Sequence, residues 1–96
     1  MQPQSLISFE TFVELRDYIH RTLCKLEQLE MRSFPLTQQA LKRGEEICGY
    51  LFSIYGPRSI VFNAVWETDR NSIHFYSSSG ERVLTTPLAA MPRLTT

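Results

Sequence analysis

Few residues in this chain are equipped for chemistry. Two histidines, His20 and His74, and two cysteines, Cys24 and Cys48, are the candidates beside ten Asp and Glu. Cys48 follows Glu45 and Glu46, and a thiolate there would act as a nucleophile only beside a base or a positive charge. Arg43 and His74 are the nearest groups of that kind, and spacing fixes neither. Free cysteine is more often a small buried hydrophobe, and that reading is taken here. His20 sits among Arg16, Asp17 and Arg21, where it could move a proton only under a cleft; otherwise it is a solvated surface histidine. There is no glycine-rich phosphate loop, no metal-binding histidine pair at helical spacing, no nucleophile elbow and no CxxC. The expectation is therefore a protein that is not an enzyme and holds no cofactor and no metal.

The elements that would have to position such groups follow from composition and periodicity. Ninety-six residues with 43% hydrophobic and 21% charged side chains make one domain, and exclude a disordered tail, a collagenous repeat and a basic arm. Ten basic against ten acidic residues leave no overall field to draw the chain onto nucleic acid or an anionic membrane. The densest apolar run, Ile47 to Tyr55, falls well short of the ~20 residues a membrane helix needs. The first ten residues lack a basic stretch followed by a long apolar one, and two cysteines are too few for a disulfide framework. A cytoplasmic protein with reduced thiols is expected.

Apolar side chains at Phe12, Leu15, Ile19, Leu23, Leu26 and Leu29 or Met31 step by three and four, which predicts an amphipathic helix. Ser8 is one candidate N-cap, and Thr11 with Glu14 is a second, as a capping box. Asp17 and Arg21 are spaced as a surface ion pair. Pro35 breaks the pattern. From Leu36 the apolar positions Ala40, Leu41, Gly44, Ile47, Cys48, Leu51, Phe52 and Tyr55 again follow helical spacing, which predicts a second helix over 37–55, stopped at Gly56-Pro57. Ile47 to Tyr55 also suits a strand by residue type, and continuity from Leu36 decides for helix. Beyond Arg58 the period becomes two. Ile60, Phe62, Ala64 and Trp66 take one side, Val61, Asn63, Val65 and Glu67 the other; Ile73 and Phe75 then oppose His74 and Tyr76, and "RVLTT" forms a third strand.

The predicted architecture is α+β: a two-helix hairpin packed on one face of a three-stranded antiparallel meander, in the order α-α-β-β-β. Residues 1–7 are expected to be a flexible N-terminus, 8–86 the domain, and 87–96 a flexible or extended tail. The strand side away from the helices is the one to single out, because Val61, Val65 and Tyr76 interrupt what should be a polar surface around Asn63 and His74. Val61, Asn63, Val65, His74 and Tyr76 are the candidate partner-binding residues. The expected function is a small protein–protein interaction module, self-associating as a homodimer, with another protein as an alternative partner. Two other readings stay open: a small apolar ligand held by His74, Tyr76 or Tyr50, and single-stranded nucleic acid stacked on sheet aromatics. The last is weakened because alternation leaves Tyr76 alone on the outer side, and because Glu67, Asp69 and Glu81 neutralise Arg58, Arg70 and Arg82. A winged helix is disfavoured by the lack of a basic stripe. Neither nucleic acid nor membrane is an expected partner.

Overall fold

The computed structural model of the chain describes residues 8–93. One helix, α1 (Phe12–Leu26), precedes five strands, β1 (Thr37–Arg43), β2 (Glu46–Tyr55), β3 (Val61–Glu67), β4 (Ser72–Tyr76) and β5 (Arg82–Pro87). Each strand pairs antiparallel with its neighbour in sequence, giving the order β1-β2-β3-β4-β5. Helix α1 packs on one face of this meander, over its centre at β3. The class is α+β, but the predicted α-α-β-β-β order is corrected: 37–55 is not a second helix, and the sheet has five strands rather than three.

The correction has a local cause. Arg43 pairs with Glu46 across the two-residue connection Gly44-Glu45, with Gly44 at φ +66° and Glu45 outside the left-handed region. Glycine at the first central position alone fits a type II′ hairpin turn. Within β2, Phe52 and Ile54 are buried on the helix side with Tyr50, while Leu51 and Tyr55 alternate onto the other side. Both faces of β2 are thus partly apolar, and an apolar residue at nearly every position matches a 3.6 period as readily as a period of two. Gly49 belongs to the strand as well. A Cβ at that position would come 2.6 Å from the Trp66 carbonyl oxygen on β3, so only glycine lets the two backbones pair this closely.

The first helix conforms more closely to the sequence. Thr11 rather than Ser8 is the N-cap: its Oγ1 accepts the Glu14 N–H at 3.3 Å, and the Glu14 carboxylate accepts the Glu10 N–H at 3.0 Å. Asp17 and Arg21 pair at 2.9 Å. Leu15, Ile19, Leu23 and Cys24 face the sheet and meet Phe52, Ile54, Phe62, Ala64, Trp66, Ile73 and Phe75 in one core. Ile60, expected on that side, precedes β3 and is exposed. Trp66 is fully buried, and its indole N–H donates to Asn71 Oδ1 at 3.0 Å from the β3–β4 turn. The polar side of α1 does not simply face water. Arg16 donates to Gln38 Oε1 and to the Leu36 carbonyl, and His20 Nε2–H donates to the Phe34 carbonyl at 2.7 Å. These bonds tie the segment entering β1 to the helix.

Of the expected tail over 87–96, Pro87 closes β5, and Leu88 is buried with its N–H on the Asn71 carbonyl. The chain then returns to the start of α1, where Arg93 bridges Thr11: the Phe12 N–H donates to the Arg93 carbonyl at 2.8 Å, and the Arg93 N–H to the Glu10 carbonyl at 2.9 Å. Residues 1–7, expected to be flexible, and 94–96 lie outside the described residues. Among the described residues no helix is long and apolar enough to cross a membrane.

Candidate functional site

Strand alternation assembles the site. One face of the sheet is covered by α1, and the opposite face, here the open face, carries no second layer among the described residues. Register sets its side chains in rows across the strands. Gln39, Leu51, Val65, His74 and Thr85 form one row, and Thr37, Ser53, Asn63, Tyr76 and Arg82 the next. Val61, Asn63, Val65, His74 and Tyr76, singled out from the sequence, therefore share one face, with Val65 directly opposite His74 and Asn63 opposite Tyr76. Leu41, Leu51, Ser53 and Tyr55 also lie on this face, on the strands that replace the helix expected over 37–55. The signal that could have revealed them is the alternation of Tyr50, Phe52 and Ile54 against Leu51, Ser53 and Tyr55.

The polar groups of the open face bond mainly to one another. Ser53 Oγ donates to Asn63 Oδ1 at 2.7 Å, and Thr37 Oγ1 donates to the Ser53 carbonyl. The Arg82 guanidinium lies 5.8 Å from the Tyr76 ring centroid, a cation–π distance. His74, with a side chain only 12% exposed, lies 3.2 Å from Glu67 Oε1 through Nε2 and 3.2 Å from Thr85 Oγ1 through Nδ1. A carboxylate only accepts, so Nε2 carries the hydrogen; in the neutral ring Nδ1 then accepts from the Thr85 hydroxyl.

Hydroxyl, imidazole and carboxylate in that order are the parts of a nucleophilic relay. Such a relay also needs a cleft to hold a substrate. Among the described residues, a hollow lined by Ser8, Phe9, Glu14 and Met91 and another lined by Tyr18, Thr22 and Lys25 border α1 and do not touch the open face. The bonds of His74 instead fill the hydrogen-bonding capacity of a largely covered ring on a sheet surface.

Other sequence candidates are not brought together. Tyr50 stacks on Trp66 on the helix side, with centroids 5.6 Å apart, so it shares no cleft with His74 and Tyr76. Both cysteines are free thiols; Cys24 is buried on α1 and Cys48 half-buried on β2. Among the described residues no three His, Cys, Asp or Glu side chains gather as a metal site. Fold and face together define an α+β protein with one helix on a five-stranded antiparallel meander and an uncovered, mixed apolar and polar sheet surface. Compared with protein-family models, curated proteins and solved structures, the chain matches none.

Proposed function

We propose that this protein is a small non-catalytic interaction module that self-associates through its open sheet face, two copies packing face to face. One observation carries the reading. Leu51 and Val65 sit side by side on the open face and Val61 beside Tyr55 at its end, with Tyr76 and the bonded Ser53–Asn63 pair between these rows, and the polar groups already bond to each other. Covering such a face removes apolar surface from water and orphans few donors or acceptors. Five strands at ~4.8 Å spacing and about seven residues long give a footprint on the order of 600 Å² in flat projection. That is near the ~800 Å² per partner of an ordinary stable interface. Charge fits a second copy too. Glu67 and Arg82 lie two strands apart at different levels of the face, so a two-fold can set one against the other. The two free thiols support a reducing, cytoplasmic setting.

Sedimentation velocity at micromolar concentration tests the reading. The wild-type chain should sediment as two or more copies of an 11.2 kDa unit. Val65→Lys, which puts a charge at the middle of the face, should lower the average mass. Val13→Lys, at an exposed position on α1 in the other layer, should leave it unchanged, and circular dichroism should show both variants folded. A wild-type monomer throughout that range would overturn the proposal.

A further inference from the structure

Among the described residues the sheet ends in two edges, each a row of backbone N–H and C=O groups with no strand alongside. The two edges here are unequal. β5 begins at Arg82, shifts register against β4 between Phe75 and Tyr76, and ends at Pro87, which has no N–H to donate. From Thr37 to Leu41, β1 holds an unbroken register with β2 and contains no charge, glycine or proline; Lys42 and Arg43 come only after the register shift at Leu41/Lys42. Among the described residues no backbone hydrogen bond runs from 37–41 to anything but β2. The edge is also held in place, because Arg16 fixes Gln38 and the Leu36 carbonyl, and His20 fixes the Phe34 carbonyl.

We infer that Thr37–Leu41 pairs edge to edge with the same strand of a second copy, antiparallel about a two-fold axis at Gln39. What an unpaired edge recognises is another extended backbone. Pairing β1 to β5 of the next copy would propagate without end, and the register shift, Arg82 and Pro87 all oppose it; pairing β1 to β1 closes after two copies. In this register Gln39 meets Gln39, Gln38 meets Ala40 and Thr37 meets Leu41, so no like charges face each other. The two Lys42 positions lie about 20 Å apart, beyond the ~10 Å over which exposed charges interact at ordinary salt. The result is a ten-stranded sheet with both helices on one side and both open faces on the other. It stands independently of the face-to-face contact proposed above.

The test reads backbone amide exchange of the full chain at about 1 µM and about 100 µM, a range that spans moderate self-association. Amides within 37–41 should exchange at least ~10-fold more slowly at the higher concentration, in wild type and in Val65→Lys alike. No slowing at 37–41 overturns the inference, and slowing confined to 61–76 overturns it while supporting the open-face contact. Gln38→Pro and Gln39→Pro supply a second arm, since adjacent strand residues point their N–H groups to opposite sides and one of the two points away from β2. That variant should fold and weaken association about tenfold in the Val65→Lys background. If both proline variants fold and associate like their parent, the edge is not the contact; if neither folds, the wild-type exchange pattern decides.

Discussion

The two thiols show how burial decides what a residue can do. Cys24 is 2% exposed against the core, and burial pushes its thiol up from the ordinary 9.0 because a thiolate there would lose its hydration. Cys48 lies half-buried on β2. In the native protein a small thiol reagent at about pH 8 should modify Cys48 and leave Cys24 unmodified until the chain unfolds. Mass spectrometry of the labelled peptides would show this; equal labelling of both would contradict it. The same burial gives a pH dependence of known sign. Above about pH 9 the unfolded chain releases the Cys24 proton while the folded chain retains it, so this contribution to stability is full below that point and declines as pH rises further. Urea unfolding on the two sides of that value should show a decline that Cys24→Ala flattens. His74 makes a different point. Its place on the open face was legible from alternation with Ile73 and Phe75, but its two partners were not. Glu67 and Thr85 reach it only through the exact lengths of the turns on either side of β4, and those depend on Asn71 at φ +48° and Gly80 at φ +88°.

Elements were legible where one face is apolar and the other polar. Helix α1 satisfies that condition, and β3 meets it on its helix side alone, where Phe62, Ala64 and Trp66 alternate with Val61, Asn63, Val65 and Glu67, while Ile60, expected on the helix side, falls before the strand. The β1–β2 hairpin fails it in both directions, since Gln38 and Gln39 make both faces of β1 polar while Phe52 and Leu51 make both faces of β2 apolar. Two signals stood against the helix: glycine at both 44 and 49, each costing about 1 kcal/mol in a helix interior, and the β-forming composition of 47–55. The next hairpin hides its turn in another way. Arg58 and Ser59 both take left-handed backbone, at φ +60° and φ +63°, between Pro57 and Ile60, whose N–H returns to the Pro57 carbonyl. Two consecutive positive φ values are the pattern of a type I′ turn, for which Asn-Gly is the favoured pair, so residue type gave no warning here. The strain should be removable. Replacing Arg58 by Asn and Ser59 by Gly should stabilise the protein by about 1 kcal/mol, raising the Tm by ~4–8 °C in thermal unfolding. An unchanged or lowered Tm would show that these side chains contribute more than their conformation costs.

At the scale of the whole molecule, nearly all strand pairing is between neighbours in sequence, and such a sheet can form hairpin by hairpin from local contacts. The exception is the closure of the chain on itself, where Arg93 bridges Thr11 across almost the full length of the described residues and Leu88 seals against the core on the way. The entropy of closing so long a loop is recovered only once helix and sheet are already in contact, so this strap should form after the rate-limiting step of folding. Leu88→Ala tests the order of events. Removing a side chain only 7% exposed should cost about 2 kcal/mol, at the low end for a buried leucine because the strap borders solvent. If the strap closes late, the whole loss falls on the unfolding limb of the chevron. Unfolding then accelerates about thirtyfold while the folding rate stays close to wild type. A folding rate that drops in proportion would instead place the strap in the nucleus, and would make the join between the two chain ends, rather than the central hairpins, the contact that organises the fold.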